Sequence, residues 1–458
     1  MDKYNIQSYC HRFRRLTPWG RKLKHHCFAL RSNVYFHING DVSMCSHNHS
    51  LVLGKFPVNR ISEIVEGAFR RQATESFLSG DIPTDCRSCY EKLKSNNPKA
   101  ATFQVYNQVY RKSGIPLTAE FELSNHCNLA CIMCSPVLSD QIHSEKKPDL
   151  PSPYNTDFVE QLTPYLAYLK RASFKGGEPF LIDLYFEIWE KIIASGAKTI
   201  ISVTSNGTVL NKKVRDILER GRFDINISID SLEKDKYEEI RRNASFEVFR
   251  RNLDFFIEYC KSKKTNFTSC TCLMTNNFSG IPDIYRFAIK NRFNIFMNYV
   301  EHPIDLSVKF MEKNKILEVM SYMQKHMPNF SPIRDRENRA SYDAMIRQLE
   351  LWACKKTSDE TIPSQGKPER TDTEEVVLLL NKLRNHVATY YGISGDVETN
   401  SDYLMQLNKF TTAYQKASAQ VPSKNIIASL IACSEERFVA LFSLSEEELT
   451  AYLCENSV

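Results

Sequence analysis

Residues 125–134 read NHCNLACIMC and place Cys127, Cys131 and Cys134 in the spacing Cys-x3-Cys-x2-Cys. On a tight loop this spacing brings three thiolates together and supplies no fourth. A closed structural zinc site needs four protein ligands, and most iron–sulfur clusters use four cysteines. Three ligands leave one position on the metal open, which is where a substrate or cofactor binds. The alternatives are ordinary buried cysteines or a zinc site completed by His126.

The composition is that of an ordinary globular protein. A chain of 458 residues is long enough for two or three domains. A hydrophobic content of 42% and a charged content of 25% allow each of them to fold around its own core. The net charge of +6 is mild for this size and gives no reason to expect nucleic-acid binding.

The number of cysteines and the composition of the N-terminal segment indicate where the protein is located. No apolar segment follows the N-terminal basic residues, and no apolar run approaches the roughly 20 residues that span a bilayer. We therefore expect neither export nor a membrane partner. Fourteen cysteines in such a chain indicate metal thiolates and free thiols rather than disulfides. The sequence predicts a soluble, cytoplasmic protein.

Residues 1–24 form a basic arm. Its second half is crowded with basic side chains: Arg12, Arg14, Arg15, Arg21, Lys22 and Lys24. Runs of like charge are usually solvated, which is one interpretation. The other is a docking site for an acidic partner, such as a peptide, a phosphate group or an acidic electron carrier.

Residues 25–95 are typical of a small cysteine-rich α+β module. A strand-like run over 34–38 is followed by Asn39-Gly40 and a second run over 41–44. Asn-Gly supplies the positive φ that a tight type I′ turn needs, so the pattern predicts a β-hairpin. Apolar residues at helical spacing over 61–69 predict a helix after it.

Residues 115–305 alternate short strand-like runs with amphipathic helical patterns. The predicted strands are Thr118–Leu123, Arg171–Phe174, Thr199–Thr204, Ile225–Asp230, Phe267–Leu273 and Ile295–Val300. The helical patterns between them cover 181–194, 212–220, 246–259 and 281–291. Such alternation predicts a parallel sheet, with the chemistry in loops at the carboxyl ends of the strands. Six βα units are too few for eight strands, so we predict a partial (β/α)6 TIM-like barrel.

The rest of the chain reads as helical. Residues 306–354 are predicted to form a helical extension, 355–373 a polar linker and 374–458 a C-terminal helical domain. Ser445 followed by Glu448 fits a capping box at the start of a last short helix. The fold class is therefore α/β: a partial barrel with a cysteine-rich N-terminal module and a C-terminal helical region.

A second motif, Gly176-Gly177-Glu178-Pro179, stands at the end of the next predicted strand after the cysteine triplet. Two glycines let a backbone edge approach a ligand closely, and proline stops the strand. Together with the triplet, it resembles the signature of the radical S-adenosylmethionine (radical SAM) enzymes. The resemblance implies that the three cysteines hold a 4Fe–4S cluster whose free iron chelates the methionine part of S-adenosylmethionine. It also implies that the second motif binds the amino group of that cofactor.

The ends of later strands carry further candidates for the same cofactor. By the resemblance, the positions that hydrogen-bond its ribose and carboxylate are Ser205, Asn206, Ser228 and Asp230, and Arg241 pairs with its carboxylate. Ordinary turn and helix-surface chemistry is the alternative for each. In relatives, later strands touch the adenosine where Asn276 and Val300 stand here.

Four more cysteines lie upstream of the triplet: Cys27, Cys45, Cys86 and Cys89. The predicted hairpin and a Cys-x2-Cys loop bring them together, which suits a structural zinc or a fully ligated 4Fe–4S cluster. Unligated thiols are the remaining interpretation. The pattern resembles the auxiliary-cluster module called twitch, a short relative of the SPASM domain. In most relatives that module follows the barrel, whereas here it precedes it.

The resemblance implies a radical SAM oxidoreductase or maturase. Its cluster would cleave S-adenosylmethionine to a 5′-deoxyadenosyl radical that abstracts hydrogen from the substrate. We favour oxidative modification of a substrate peptide, with dehydrogenation of a sugar or other small molecule as the alternative. A flavodoxin- or ferredoxin-type protein would donate the electron. A non-enzymatic iron–sulfur redox sensor or scaffold is the alternative interpretation outside the enzymes.

No general base is evident in the sequence. Glu301, His302 and Asp305 follow the last predicted barrel strand and are candidates to face the cavity, with surface placement as the alternative.

Overall fold

A computed structural model describes about two thirds of the chain. The described residues are 27, 29–48, 51–79, 83–86, 89, 106, 115–135, 137–142, 152–300, 303–358 and a scattered set between 406 and 455. The basic arm over 1–24 and most of the region over 374–458 lie outside them. The chain divides into two compact units. Residues 1–228 and 241–270 make the first, and residues 229–240 and 271–458 the second.

The described strands form one mixed sheet. They are β1 (Asn33–Phe36), β2 (Asp41–Ser43), β3 (Gly54–Lys55), β4 (Thr118–Phe121), β5 (Arg171–Phe174), β6 (Ile200–Ser205), β7 (Phe223–Ser228), β8 (Phe267–Leu273) and β9 (Asn294–Tyr299). Their order is β3-β2-β1-β4-β5-β6-β7-β8-β9. Strands β4 to β8 pair in parallel, each with its successor in the chain. The open α/β sheet predicted from the sequence is confirmed, and each predicted barrel strand is found within two residues of its expected ends.

Helices connect these strands. Within the described residues they are α1 (Ala29–Ser32), α2 (Ile61–Glu66), α3 (Ala68–Ser79), α4 (Thr156–Leu166), α5 (Asp183–Ala194), α6 (Lys212–Arg220), α7 (Lys234–Ile240), α8 (Phe246–Lys263), α9 (Ile281–Asn291), α10 (Lys313–Lys325), α11 (Arg336–Ser358) and α12 (Glu446–Glu455). No described helix is long and apolar enough to cross a membrane.

The N-terminal hairpin extends the barrel sheet. Strand β1 pairs antiparallel with β2 and parallel with β4, so that Tyr35 lies opposite Glu120. An unpaired strand edge is a liability, and the hairpin covers the edge that β4 would otherwise present. The cysteine-rich module and the barrel therefore share one sheet, a continuity that the sequence pattern did not predict.

The turn of this hairpin differs from the predicted type I′. That turn needs positive φ at two successive residues, but in the loop only Gly40 has one, at +89°. The Gly40 N–H donates to the carbonyl of His37 at 2.9 Å, which closes a turn with the glycine in its last position. A Cβ on Gly40 would meet the Phe56 carbonyl at 2.3 Å. Gly40 is therefore required both for its φ and for this close approach.

The two faces of the sheet differ in polarity. Phe121 and Phe174 stack at 4.7 Å on one face, and Trp189 of α5 packs against Phe174 at 5.4 Å. These aromatic side chains are almost completely buried. The other face carries polar residues between them, such as Glu120 and Lys175, whose side chains form an ion pair. Helices thus cover one face, and the other is the interior of the partial barrel.

The second unit contains the helical extension. Asn338 of α11 hydrogen-bonds the backbone of residues 293 and 295, which fixes this helix to β9. Helix α11 runs on to Ser358, so residues 355–358 are helical and not part of the predicted linker. No proline or glycine interrupts the helix there, which explains the difference. At the start of α12 the predicted capping box is confirmed, because Ser445 and Glu448 each accept a hydrogen bond from the other's backbone N–H.

Candidate functional site

The cysteine triplet lies on a loop that begins after β4. The carboxylate of Asp140 accepts hydrogen bonds from the Cys127 N–H at 3.0 Å and from the ring of His126 at 2.8 Å. Partial burial acts to raise the pKa of Asp140, but these hydrogen bonds outweigh it and lower the pKa. The Ser139 hydroxyl donates to the carbonyl of Leu129 at 2.7 Å. The loop is therefore held by its own side chains, with a ring nitrogen of His126 engaged by Asp140.

The double glycine of the second motif packs against this loop. Gly176 and Gly177 have φ of +80° and +40°. A Cβ on Gly177 would lie 2.2 Å from the carbonyl oxygen of His126, and one on Gly176 2.9 Å from that of Ser124. The Glu178 N–H donates to the same His126 carbonyl at 2.8 Å. The glycines thus allow two loops to meet, which explains their presence without a ligand.

Glu178 is fully buried between β5 and β6. Its carboxylate accepts hydrogen bonds from the Phe180 N–H at 3.1 Å, the Ser205 hydroxyl at 2.8 Å and the Asn206 N–H at 2.7 Å. Burial raises its pKa to about 7, although these hydrogen bonds and Arg241 favour the charged form. Glu178 and Ser205 therefore join the second motif to the end of β6.

Asn206 continues this network to the triplet. Its amide nitrogen donates to the side-chain oxygen of Asn128 at 2.9 Å and lies 3.9 Å from the sulfur of Cys127. Its amide oxygen accepts hydrogen bonds from the backbone and hydroxyl of Thr208. The structure thus connects the carboxyl ends of β4, β5 and β6 around Cys127.

Arg241 brings a positive charge to the same place. Its guanidinium lies 3.7 Å from the sulfur of Cys131, and its side chain is buried. The carbonyl of Arg242 accepts a hydrogen bond from the Ala130 N–H at 3.1 Å, which fixes this segment to the cysteine loop. Burial raises the pKa of Cys134 to about 12, and Arg241 acts to lower it. Thiols with raised pKa values bind a metal by exchanging their proton for it.

The other predicted cofactor residues are not part of this network. Ser228 is half-buried at the end of β7. Asp230 belongs to the second unit, where its carboxylate accepts a hydrogen bond from the Cys272 N–H at 2.8 Å. Asn276 donates to Glu239 at 3.2 Å, and its buried side-chain oxygen has no hydrogen-bond partner. Val300 is buried. Their predicted roles stay predictions.

Of the three candidates for a general base, the structure describes only one. Asp305 is exposed to solvent. Glu301 and His302 lie outside the described residues.

The four upstream cysteines lie within electrostatic reach of one another. Burial raises the pKa of Cys27, and the other three cysteines raise it further. The Ala29 N–H donates to the sulfur of Cys27 and the Asn48 amide to that of Cys86, both at 3.4 Å. Burial likewise raises the pKa of Cys45 to about 11 and that of Cys86 to about 12. The hairpin, α1 and the Cys-x2-Cys segment thus bring the predicted ligands together.

Both sets of thiols suit iron–sulfur clusters by their donor chemistry. Within the part of the chain that the structure describes, no three His, Cys, Asp or Glu side chains are placed to hold a single metal ion. A 4Fe–4S cluster makes a different demand, because each thiolate binds a different iron. Buried thiols that accept N–H hydrogen bonds meet this demand. The triplet supplies three thiols and the upstream group four, and N–H groups donate to the sulfurs of Cys27, Cys86, Cys127 and Cys131.

Sequence reasoning missed the polar residues on the inner face of β4 and β5. Glu122 accepts a hydrogen bond from the hydroxyl of Tyr35, and Lys175 lies 4.6 Å from the centre of the Tyr35 ring. Glu120 also accepts a hydrogen bond from Tyr106 at 2.6 Å. The signal was present, because Glu120 and Glu122 flank Phe121 in the alternating pattern of a strand that is polar on one face.

Comparison with known protein families agrees with this geometry. Residues 121–288 match the model of the radical SAM superfamily. Residues 27–90 match the model of SPASM, an iron–sulfur cluster-binding domain. The two matches cover the cysteine triplet and the four upstream cysteines, respectively.

Curated relatives share part of the chain. A GTP 3′,8-cyclase from Clostridium perfringens is 26% identical over 219 residues, which are 46% of this chain and 64% of that protein. Molybdenum cofactor biosynthesis protein 1 from Drosophila melanogaster is 23% identical over 287 residues, 61% of this chain and 47% of that protein. The chain thus spans less than two thirds of the length of each of these relatives.

Among solved structures, SuiB of Streptococcus suis bound to S-adenosylmethionine is 17% identical, with a TM-score of 0.34 over 58% of this chain and 59% of that one. The two family matches imply 4Fe–4S clusters and S-adenosylmethionine as cofactors, as the sequence predicted. Residues 121–288 thus form a radical SAM domain, and a SPASM iron–sulfur domain over residues 27–90 precedes it.

Proposed function

We propose that this radical SAM enzyme oxidises its substrate, using the triplet for a 4Fe–4S cluster and the four upstream cysteines for an auxiliary one. The observation that carries the proposal is the hydrogen-bonded network that joins Glu178 and Asn206 to Cys127. It supports the proposal because Cys127, Glu178 and Asn206, three of the residues predicted for the cluster and the cofactor, lie at adjacent strand ends. A sensor or scaffold would need the cysteines but not this second motif.

The cofactors would supply the difficult step: a 4Fe–4S cluster held by Cys127, Cys131 and Cys134 would supply reductive cleavage of S-adenosylmethionine and so hydrogen abstraction, and an auxiliary cluster would accept the substrate's electron. The protein's own contribution is orientation. Cys127, Cys131 and Cys134 hold the cluster and leave one iron open. Arg241, beside Cys131, is placed to pair with the cofactor's carboxylate. The glycines and Glu178 fix the loop that binds the cofactor's amino group.

For the substrate we favour a peptide, oxidised at a side chain or backbone carbon. The module before the barrel and the helical region after it add surface that a long substrate needs. A nucleotide is the second candidate, because relatives that share part of the chain are GTP 3′,8-cyclases. The sugar or small-molecule dehydrogenase of the sequence analysis belongs with this second class. We further propose a cytoplasmic location and a flavodoxin- or ferredoxin-type electron donor.

The decisive experiment is anaerobic reconstitution followed by reduction with dithionite in the presence of S-adenosylmethionine. We expect 5′-deoxyadenosine and methionine from the wild type. The Cys127→Ala variant should form neither, whereas Cys354→Ala, at an exposed cysteine outside both sites, should match the wild type. A reduced wild type that forms no 5′-deoxyadenosine with any candidate substrate would leave the sensor reading in place.

Deuterated substrates then separate the two substrate classes. The peptide tested is one encoded by a gene that neighbours the gene of this protein. Transfer of deuterium from the deuterated peptide to 5′-deoxyadenosine supports the peptide proposal. Transfer from GTP deuterated at the ribose would support the nucleotide and end the peptide proposal.

A further inference from the structure

Arg70 of α3 is a buried arginine in the cysteine-rich module. Its side chain is 4% exposed. Its guanidinium donates to the carbonyls of Leu30 at 3.1 Å and Asn33 at 3.0 Å. These carbonyls lie in and just after α1, so Arg70 caps the carboxyl end of that helix.

The hydrogen bonds do not account for the charge of Arg70. One guanidinium nitrogen, Nη1, is buried and has no hydrogen-bond partner. Burial lowers the pKa of Arg70 to about 10, and none of the carboxylates that the structure describes opposes this effect. Among the described residues of 27–90, Arg70 is the one charged side chain that is buried. A buried charge without an opposite charge is costly, and a neutral donor would make the same two hydrogen bonds more cheaply.

Arg70 is attached to the segments that carry two of the four upstream cysteines. Leu30 follows Cys27 by three residues in the segment whose Ala29 N–H donates to the Cys27 sulfur. The side chain of Asn33 donates to the carbonyl of Met44, the residue before Cys45. The guanidinium thus bonds directly to the backbone on the Cys27 side of the hairpin, and the side chain of Asn33 connects that segment to the residue before Cys45.

We propose that Arg70 supplies the positive charge that compensates the auxiliary iron–sulfur cluster and raises its reduction potential. The inference rests on the auxiliary cluster of the proposed function. A cluster with four thiolate ligands is an anion, and it gains one more negative charge when it takes up an electron. A fixed positive charge in a buried, low-dielectric setting stabilises the reduced form more than the oxidised form. Arg70 is then a positioning residue for the electron rather than a catalytic one.

Two carboxylates act on this cysteine group: Asp85 raises the pKa of Cys86, and Glu120 is already compensated by its own partners. Glu120 raises the pKa of Cys45. It is paired with Lys175 at 3.1 Å and accepts hydrogen bonds from Asn33 at 3.0 Å and Tyr106 at 2.6 Å. Its negative charge therefore opposes Arg70 only weakly.

The test uses the full-length chain with Cys127, Cys131 and Cys134 changed to alanine, so that iron is held only at the upstream cysteines. Its midpoint potential is measured by an EPR-monitored redox titration. We expect Arg70→Gln to lower the equilibrium constant for reduction at least tenfold, which is about 59 mV for a one-electron couple. Arg70→Lys, which keeps the charge, should stay close to the parent. The matched control is Arg71→Gln, at the exposed next residue of the same helix, and should leave the potential unchanged.

Equal potentials in Arg70→Gln, Arg71→Gln and the parent would overturn the inference, as would an equal fall in Arg70→Lys and Arg70→Gln. A parent that binds no iron would overturn the auxiliary cluster itself, which keeps the two failures distinct. If Arg70→Gln yields no holoprotein, Thr74→Glu replaces it, because residue 74 lies one turn along α3 and a carboxylate there neutralises Arg70 in place. A fall in potential relative to Thr74→Gln then supports the inference, and no fall overturns it.

Discussion

The two cysteine groups of this protein are built in opposite ways. The triplet comes from one continuous stretch of eight residues, 127–134, on a loop that the ends of β4, β5 and β6 support. The upstream four come from three separate segments at Cys27, Cys45 and Cys86/Cys89, which a hairpin and two helices bring together. The spacing of the first group is visible in the sequence, whereas the second exists only once the module has folded. We therefore expect each cysteine group to lose its iron independently of the other, and in response to different substitutions.

The largest expected effect separates the two groups outright. Changing Cys127, Cys131 and Cys134 to alanine should remove about four of about eight irons and abolish cleavage of S-adenosylmethionine. Changing Cys27, Cys45, Cys86 and Cys89 should remove the other four but leave uncoupled cleavage measurable. Iron and sulfide analysis with Mössbauer spectra checks both variants. Loss of all iron from either variant would show that the groups depend on each other.

The next effect tests the support of the triplet. Gly177→Ala should prevent the second motif from meeting the cysteine loop, because its Cβ would lie 2.2 Å from the His126 carbonyl. We expect a loss of roughly 3 kcal/mol or more in the free energy of unfolding, and loss of the triplet cluster but not the auxiliary one. Chemical denaturation and iron analysis measure the two.

Gly196→Ala is its matched control. Gly196 has φ of +64°, but a Cβ there would meet nothing within 4 Å. It should cost only about 1 kcal/mol for the backbone conformation and leave both clusters in place. Equal effects at Gly177 and Gly196 would show that backbone conformation alone, and not the contact between the loops, explains the Gly-Gly pair.

The third effect is a pH dependence found only around the triplet. The folded protein holds the proton of Glu178 up to about pH 7, whereas the unfolded chain releases it near 4.5. The unfolded state loses this proton first as pH rises, so the contribution of Glu178 to stability is present below pH 4.5 and is lost as pH approaches 7. The loss amounts to about 3 kcal/mol relative to Glu178→Gln.

Urea denaturation of the cluster-free proteins at several pH values between 4.5 and 8 measures this difference. A difference between wild type and Glu178→Gln that stays constant with pH would show that the pKa of Glu178 is the same in the folded and unfolded states. Glu120→Gln is measured in the same way for comparison, because Glu120 is a carboxylate of the same sheet that is paired with Lys175.

The same contrast between local and long-range features explains which parts of the structure could be predicted from the sequence. Local patterns were sufficient for β5, α6 and α9, whose ends match the expectation, and for the capping box of Ser445. The grouping of Glu178, Asn206 and Cys127 depends on strand order, which the resemblance to a family supplied and periodicity did not.

Other features depend on contacts that no local pattern encodes. The pairing of β1 with β4 joins residues more than 80 positions apart in the chain. The role of Gly40 arises from its approach to the Phe56 carbonyl, and the burial of Arg70 arises from the fit of α3 against α1. These features were missed because each is a property of two distant segments.

The smallest expected effect lies in the upstream group. Asn48 is buried; its amide donates to the sulfur of Cys86, and its side-chain oxygen accepts a hydrogen bond from the Leu51 N–H at 3.2 Å. Asn48→Ala should lower the free energy of unfolding by about 1–2 kcal/mol, because the half-buried Leu51 N–H loses its partner. Cleavage of S-adenosylmethionine should be unchanged, since the triplet is built from other segments. The same substitution at Asn206, which joins the strand ends around Cys127, should reduce cleavage as well as stability. Reduced cleavage in Asn48→Ala, measured as 5′-deoxyadenosine formed per reduced triplet cluster, would mean that the two cysteine groups act as a single unit.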